Sequence, residues 1–376
     1  MSAGGKEGGA RIAIVGAGYV ADLYLASLRT FPELSVVGVW DIDPERLAAC
    51  TRHWGLAAAA SLPDLLDRQP DILVNLTNPH AHAEINRTAI EAGCHVWCEK
   101  PIALSLDEAE ALASAAAARG LQLGSAPCNL LGRAAQTAWA AIRAGRIGRP
   151  RLAYAEIDDD FLPAAPYRAW RSETGAPWPA EDEFRTGCTL EHAGYHLGWL
   201  MAAFGPVRKL ISASARLLDS GQTGSGHDSP DYASATLYFD AMVARLTCSI
   251  IASHDHRLRV FGDDGILELD EVWANAAPVR IRRRHVLRRR LVNSPVAMRV
   301  RPVADKHPMV GRRGAASMNF ALGIAEMARA IAEGREPRLA GAFALHLTEV
   351  SLAIQAGGEY RPRSSFTPMA PMDWSR

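Results

Sequence analysis

Short apolar runs alternate with helical segments through the first 130 residues, and this alternation limits the fold more than any other feature. Five runs have the composition and length of strands: RIAIV, LSVVGVWD, DILVNLT, CHVWCEK and LQLGSAP. The segments between them space their apolar residues three or four positions apart, as helices do. Strands separated by helices form a parallel sheet with helices on both faces. The sequence therefore predicts a doubly wound α/β domain over residues 11–130.

A glycine-rich turn joins the first predicted strand to the first predicted helix. The stretch GAGYVA fits the pattern G-x-G-x-x-G/A, in which Gly16 permits a tight turn and Gly18 lets the backbone approach a pyrophosphate. The start of the helix then presents free N–H groups and the positive end of its dipole to the phosphates. The predicted dinucleotide contacts in this turn are Gly16, Gly18, Tyr19 and Val20.

An acidic residue ends the second predicted strand. Asp41 follows the glycine turn by about 20 residues, the usual spacing for an acid that accepts hydrogen bonds from a cofactor ribose. Its charge would repel the extra phosphate of NADP. Arg46 lies about one helical turn further along and could instead receive that phosphate. We predict NAD as the cofactor, with NADP as the alternative. A turn that binds no nucleotide is the remaining interpretation.

Polar residues also follow the third and fourth predicted strands. Thr77 and Asn78 stand at the end of one, and Glu99 and Lys100 at the end of the other. Ligands of doubly wound sheets bind at the carboxyl ends of the strands, so we expect these residues to line the ligand site. Lys100 could stabilise the negative charge that develops on a reacting oxygen. Glu99 could hold Lys100 in place or contact the cofactor; a surface ion pair is the alternative.

Composition narrows the class of protein. Lys and Arg together equal Asp and Glu, and no nucleic-acid-binding motif is found, so we predict no nucleic-acid partner. No apolar run approaches membrane-spanning length, and residues 1–10 lack the apolar core of a signal peptide and predict a flexible tail. The six cysteines are scattered, which is typical of reduced thiols in a cytoplasmic protein.

With the glycine turn, Asp41, TNPHAHAEI and CEKP in this order, the chain resembles the Gfo/Idh/MocA family, which includes glucose–fructose oxidoreductase and inositol dehydrogenase. The resemblance is close over about residues 11–130 and looser beyond them. It implies an NAD(P)-binding Rossmann domain at 11–130 and an α+β domain with a large, mostly antiparallel sheet at 131–376. Segments such as YASATLYFD and RLRVFGDD are compatible with such a sheet. It also implies a homo-oligomer formed through that sheet.

The resemblance implies roles for individual residues. The EKP signature is present as Glu99, Lys100 and Pro101. Further cofactor or substrate contacts that it implies are Thr77, Asn78, Pro79, His82, Asn129 and Arg171. For Asn129, a simple turn residue is an equally good interpretation.

Two histidines lie in a stretch that resembles the family's D-x-G-x-H helix. In TLEHAGYHLGWL, His196 takes the place of the family's catalytic histidine, and His192 stands where the family has an acid. An imidazole suits proton transfer near neutral pH. Three interpretations are open: the two form a catalytic pair, His196 acts alone, or both bind zinc, for which no third ligand is evident. We predict that Lys100, His196 and His192 are catalytic and that there is no metal site.

Two segments have no assigned role. Residues 172–186 form an acidic, proline-containing stretch, and residues 280–313 are strongly basic, which fits a solvated surface, a phosphate site or a subunit contact. From the motifs and the resemblance we predict an NAD(P)-dependent oxidoreductase that transfers a hydride between nicotinamide and a secondary hydroxyl or keto group of a sugar, cyclitol or related polyol. An NAD-dependent glycosidase of the same family and a non-catalytic, cofactor-bound regulator are the alternatives.

Overall fold

The computed structural model describes residues 9–219, 229–303, 309–310 and 317–373, and the chain divides into two compact units. The first unit comprises Met1–Cys128, Pro166–Glu183 and Asn319–Thr348; the second comprises Asn129–Ala165, Phe184–Met318 and Glu349–Arg376. Most of the predicted tail lies outside the described residues. Ala10, which was included in that tail, is already the first residue of a strand.

The first unit contains a five-stranded parallel sheet of order β2-β1-β3-β4-β5. Its strands are β1 (Ala10–Val15), β2 (Leu34–Trp40), β3 (Ile72–Asn75), β4 (His95–Cys98) and β5 (Leu123–Ser125). The helices between and after them are α1 (Tyr19–Leu28), α2 (Pro44–Trp54), α3 (Leu62–Asp67), α4 (Pro79–Glu91) and α5 (Leu106–Ala118). The predicted doubly wound fold is confirmed.

Side-chain caps fix where two of these helices begin. The Asp43 carboxylate accepts hydrogen bonds from the backbone N–H groups of Glu45 and Arg46, and Pro44 occupies the first helical position of α2. At α5, Ser105 Oγ accepts from the Glu108 N–H, as the capping-box pattern predicts, and the Ser105 hydroxyl donates to the Glu108 carboxylate. Local sequence alone therefore sets these boundaries.

The second unit is built on a ten-stranded, mostly antiparallel sheet of order β13-β12-β11-β10-β6-β9-β8-β7-β15, with β14 paired to β12. Its strands are β6 (Pro150–Asp158), β7 (Lys209–Ala215), β8 (Tyr232–Tyr238), β9 (Val243–Ser249), β10 (Leu258–Gly262), β11 (Gly265–Leu269), β12 (Arg280–Leu287), β13 (Arg290–Asn293), β14 (Met298–Arg299) and β15 (Gly358–Tyr360). The predicted second, antiparallel sheet is confirmed.

The remaining helices lie in both units. They are α6 (Arg133–Arg143), α7 (Ala180–Thr186), α8 (Gly194–Phe204), α9 (Leu322–Glu333) and α10 (Ala342–Ala356). Among the described residues, no helix combines the length and the apolar character needed to span a bilayer.

Part of the unassigned 172–186 segment packs on the first unit, although it follows residue 130. The carboxylate of Asp22, in the first turn of α1, accepts hydrogen bonds from the N–H and hydroxyl of Thr174 and from Trp54 Nε1. His53 lies 3.6 Å from the Glu173 carboxylate. A single boundary at residue 130 therefore does not describe how the chain divides.

The basic stretch forms a β-hairpin rather than a loop over much of its length. Strands β12 and β13 pair between Arg284–Leu287 and Arg290–Asn293 at one end of the large sheet. Exposed apolar side chains accompany the arginines, namely Val286, Leu287, Leu291, Val292, Val296 and Met298. Residues 304–308 and 311–313 of the stretch lie outside the described residues.

Candidate active site

The glycine turn leaves open space at the start of α1. Gly16 has φ of +97°, and a Cβ there would lie 2.6 Å from the Leu76 carbonyl oxygen, so this turn requires glycine. Gly18 precedes α1 in an extended conformation, and a Cβ on it would meet no atom within 4 Å. Tyr19 and Val20 are the first residues of α1 and are partly exposed. The turn therefore fits a pyrophosphate at the helix N-terminus.

The sheet order places the turn at the expected ligand edge. Strand β1 lies between β2 and β3, so the chain leaves β1 at the point where the strand order reverses. Strands β3 and β4 follow as parallel neighbours. The Gly16 turn, Thr77 and Lys100 therefore come after the carboxyl ends of three adjacent strands, as predicted.

Asp41 already has partners in the protein. Its Oδ2 accepts a hydrogen bond from the Ala17 N–H at 2.7 Å, and its Oδ1 accepts from the Asp43 N–H at 2.7 Å. Arg46 Nη2 lies 3.2 Å from the same Oδ1, so its guanidinium pairs with the acid. The next side chain, Ile42, is 84% exposed and offers an apolar surface beside this carboxylate. A ribose with its adenine ring fits such an edge.

Glu99 is buried in a hydrogen-bond network of the first unit and is not a surface ion pair. Its Oε1 accepts from the Tyr24 hydroxyl at 2.7 Å, and its Oε2 accepts from the backbone N–H of Lys100 at 3.1 Å. Trp97 Nε1 donates to the Tyr24 oxygen at 3.2 Å. Burial, followed by the charge of Glu99, raises the pKa of Tyr24 well above its ordinary value. Glu99 thus fixes the backbone from which the half-exposed Lys100 projects.

His82 does not face an open surface, in contrast to the cofactor contact that was predicted. Its side chain is fully buried, with Nδ1 2.6 Å from the Pro101 carbonyl oxygen and Nε2 2.9 Å from the Thr77 carbonyl oxygen. The ring therefore joins the two strand-end segments to each other. The role of His82 in this structure is therefore to connect the segment after β3, at Thr77, with the segment after β4, at Pro101.

The other predicted residues of the first unit lie at its surface or at helix starts. Thr77 Oγ1 donates to Asn75 Oδ1 at 2.7 Å, and Asn78 and Pro79 begin α4 as its N-cap and first residue. Arg171 is exposed, and its Nη1 donates to the carbonyl oxygens of Arg168 and Trp170. These contacts involve protein atoms alone, so the predicted cofactor roles of these residues stay predictions.

The histidine stretch of the second unit is not one regular helix. Thr189–Ala193 form a π-helical turn, and α8 begins at Gly194. His196 is fully buried, and its ring nitrogens make no hydrogen bond of good geometry with the described residues, although the backbone of His256 and Arg257 lies close to the ring. Burial, with a further contribution from the charge of His256, lowers the pKa of His196 to about 3. Burial therefore favours the neutral form of this imidazole, and its predicted catalytic role stays a prediction.

His192 is partly exposed and contacts a carboxylate that the family pattern did not indicate. Its Nδ1 lies 3.1 Å from Asp159 Oδ2, and Asp159 Oδ1 lies 2.8 Å from His256 Nε2. Burial raises the pKa of Asp159, but the charges of His192 and His256 outweigh this effect and lower it overall. Asp159, which directly follows β6, therefore places a carboxylate against His192.

The contacts continue from His256 to two further residues. Its Nδ1 lies 3.3 Å from Glu271 Oε1, and His254 Nε2 lies 3.3 Å from Glu271 Oε2. Burial lowers the pKa of His256, but its hydrogen bonds to Asp159 and Glu271 raise it overall to about 9. We call Asp159, His192, His254, His256 and Glu271 the histidine cluster. Sequence analysis missed four of its five members, although the H-x-H spacing of residues 254–256 was a signal.

Asn129 connects segments of the second unit. Its Nδ2 donates to the carbonyl oxygens of Tyr195 and Val272, at 3.0 and 3.3 Å. Its Oδ1 is buried and accepts no hydrogen bond from the described residues. The side chain is thus held beside the start of α8, and its ligand contact remains a prediction.

Both parts of the chain match models of one protein family. Residues 10–126 match the model described as an oxidoreductase family with an NAD-binding Rossmann fold, and residues 135–268 match the Gfo/Idh/MocA C-terminal domain. Together these matches span about two thirds of the chain.

Curated relatives and a solved structure agree with this match. A D-glucoside 3-dehydrogenase of Escherichia coli is 37% identical over 28% of this chain and 31% of its own. A scyllo-inositol 2-dehydrogenase (NADP(+)) of Bacillus subtilis is 25% identical over 70% of this chain and 76% of its own. The WlbA dehydrogenase of Bordetella pertussis, in complex with NADH and UDP-GlcNAcA, has the same fold, with a TM-score of 0.68 at 19% identity over 94% of this chain and 99% of its own.

The alignments to curated proteins are partial. The first of these relatives are matched over only 28–49% of their own length. The two family models nevertheless cover the parallel sheet and most of β6 to β11 of the large sheet, and the glycine turn and the strand-end residues Thr77 and Lys100 lie within the first model. The chain belongs to the Gfo/Idh/MocA family of oxidoreductases and carries its NAD-binding Rossmann domain.

Proposed function

We propose that the protein is an NAD(P)-dependent oxidoreductase acting on a secondary hydroxyl or keto group of a sugar, cyclitol or related polyol. The observation that carries this proposal is the common edge of β1, β3 and β4, where an open helix start, Thr77 and Lys100 follow neighbouring strands. The substrate class is supported by the relatives, whose names specify a glucoside and scyllo-inositol.

When bound, the nicotinamide supplies the hydride acceptor or donor. The start of α1 and the Gly18 backbone would hold the pyrophosphate, and Asp41 would orient the adenosine ribose. Lys100 donates a hydrogen bond to the reacting oxygen and stabilises its negative charge. The buried Glu99 keeps the Lys100 backbone in place through its bond to the N–H.

We propose NAD rather than NADP as the preferred cofactor. The Asp41 carboxylate is buried at the end of β2 and would lie beside any 2′-phosphate. Arg46, the side chain that could receive a phosphate, is paired with Asp41 itself. An extra phosphate would have to break this pair and approach a carboxylate, which disfavours NADP.

Within the predicted catalytic pair, we propose that His192 accepts the hydroxyl proton. It is partly exposed, and the Asp159 carboxylate at 3.1 Å would stabilise the positive charge that it gains. His196 is fully buried and burial favours its neutral form, so we assign it a packing and positioning role.

Substitutions at the two histidines should therefore differ. His192→Asn should lower kcat by at least about 10²-fold, the usual contribution of general base catalysis. His196→Leu should change kcat by less than about tenfold and largely preserve the melting temperature, because the ring makes no well-aligned hydrogen bond that the substitution would remove. Steady-state kinetics and thermal unfolding of both variants check this. A His196→Leu protein that folds normally but is inactive would contradict the assignment.

We also propose a cytoplasmic homo-oligomer that associates through the second unit's sheet. The six cysteines are buried and unpaired, which suits a reducing compartment. The exposed apolar residues of the β12–β13 hairpin, at one end of that sheet, form a surface that a second copy could cover. A solution mass equal to one chain of 40.5 kDa would contradict the oligomer.

The proposed activity is tested by incubating the protein with NAD⁺, and separately NADP⁺, and a panel of sugars, glycosides and cyclitols. We expect net reduced cofactor, formed in equal amount to a keto product and faster with NAD⁺. Free sugar released from glycosides without net reduced cofactor would establish a glycosidase instead. Tight cofactor binding with neither product would establish a regulator.

A further inference from the structure

We propose that Asp159, His254 and His256 bind one divalent transition-metal ion of the zinc class. One nitrogen or oxygen atom from each of these three residues lies within 4.8 Å of the other two. The ligands of tetrahedral zinc lie about 3.4 Å apart at bond lengths of about 2.1 Å. The atoms that lie furthest apart would therefore need to approach each other by at most about 1.4 Å.

Sheet order explains why residues so distant in sequence meet here. Strand β10 lies between β6 and β11 and runs antiparallel to both. The end of β6, the start of β10 and the end of β11 therefore share one edge of the sheet. Asp159 follows β6, His256 precedes β10 and Glu271 follows β11. Isolated bridges, Asp158 with Asp255 and His256 with Glu271, extend the pairing to these residues.

The donor set suits zinc or a neighbouring transition metal. Two imidazoles and one carboxylate are nitrogen and oxygen ligands of the kind that such ions prefer over calcium or magnesium. The H-x-H spacing on extended backbone turns both rings to one side, and their centroids lie 4.1 Å apart. Asp159 Oδ2 is buried and lies 3.1 Å from His192 Nδ1, and a carboxylate oxygen keeps a second lone pair for a metal beside such a contact.

Glu271 has the position of a supporting carboxylate. Its two oxygens face one nitrogen of each ring, His256 Nδ1 and His254 Nε2, both at 3.3 Å. The backbone N–H of Trp273 fixes Glu271 by donating to Oε1 at 2.9 Å. Carboxylates that accept from the outer nitrogen of metal-binding histidines are a regular feature of such sites. The opposite nitrogen of each ring is then the one that binds the metal.

The charges of the cluster also favour a cation. Within the described residues, every ion pair of Asp159 and Glu271 is with a histidine, and none is with lysine or arginine. Two carboxylates are thus balanced only by imidazoles. One divalent ion would neutralise both carboxylates while leaving the imidazoles in the neutral form that ligates metals.

Metal binding can be measured without cofactor or substrate. Untagged protein is treated with a chelator, dialysed, and titrated with Zn²⁺ by calorimetry, and with Co²⁺ while visible absorption is recorded. We expect one equivalent of Zn²⁺ per chain, a higher melting temperature with Zn²⁺, and visible bands from Co²⁺ held by nitrogen and oxygen ligands. Absence of saturable binding by the wild-type protein would overturn the proposal, whether or not the protein reduces NAD⁺.

Variants locate the site. His254 is exposed, so His254→Ala should fold and should weaken Zn²⁺ binding by at least about 100-fold, and Glu271→Gln should weaken it by about 10- to 100-fold. The matched control is His53→Ala, because His53 is also exposed and also lies near a glutamate, yet among the described residues it is not part of a group of three potential metal ligands. Equal Zn²⁺ affinity in wild type and His254→Ala would overturn the proposal.

Discussion

Replacing Lys100 by alanine is expected to lower kcat about 10³-fold while changing the dissociation constant for NAD by less than about threefold. An ammonium group aimed at an oxygen that becomes negative in the transition state contributes up to about 4 kcal/mol, which corresponds to this loss of rate. Most of the binding energy of the dinucleotide comes from elsewhere, namely the glycine turn and Asp41. Turnover and cofactor affinity should therefore separate in this variant.

The measurement combines steady-state kinetics with calorimetric titration of NAD. Lys209→Ala is the matched control, because Lys209 Nζ forms an ion pair with Glu359 at 2.8 Å in the sheet of the second unit. This substitution should leave both kcat and the dissociation constant for NAD unchanged. Wild-type turnover by Lys100→Ala would remove Lys100 from the mechanism. Loss of NAD binding together with turnover would assign it to cofactor binding instead.

Valine at Gly18 and valine at Gly16 are expected to fail for different reasons. A Cβ at Gly18 meets open space, so Gly18→Val should cost less than about 1 kcal/mol of unfolding free energy. The same branched side chain would occupy the path of the pyrophosphate, so the dissociation constant for NAD should rise about 100-fold. At Gly16, positive φ and the contact with Leu76 should cost about 3 kcal/mol or more.

Denaturant unfolding and NAD titration of the two proteins give the comparison. We expect Gly18→Val to be stable and deficient in binding, and Gly16→Val to be unstable. A Gly18→Val protein with wild-type affinity would show that the open space at the start of α1 is not used by the dinucleotide.

The parts of the site that could be predicted from sequence are those fixed by short-range spacing. Gly16, Gly18 and Asp41 belong to one strand–turn–helix–strand unit, so their spacing alone determines where they meet. The alternation of apolar runs similarly determined the parallel sheet, and capping residues such as Asp43 located helix starts.

Side-chain direction at strand ends could not be predicted in the same way. His82 and Glu99 lie in the expected segments, but both turn inward, His82 to the Thr77 and Pro101 carbonyls and Glu99 to Tyr24. A polar residue that follows a buried strand can satisfy its hydrogen bonds inside the protein or offer them to a ligand. Sequence pattern does not distinguish the two, because the partners come from other segments.

The histidine cluster depends on strand order in the large sheet. Asp159 and Glu271 are more than 100 residues apart, and they approach only because β10 inserts between β6 and β11. Antiparallel sheets with non-sequential neighbours cannot be ordered from a single sequence by local propensity. The zinc interpretation of His192 and His196 lacked a third ligand for this reason, and the structure offers a different set of three residues.

A crystal structure of the protein with bound NAD tests the central claim most directly, because it locates each part of the dinucleotide. We expect the pyrophosphate on the Gly18 backbone at the start of α1, the adenosine ribose hydroxyls on Asp41, and the nicotinamide next to the Lys100 ammonium. A dinucleotide bound away from α1, or a nicotinamide ring out of reach of Lys100, would contradict it.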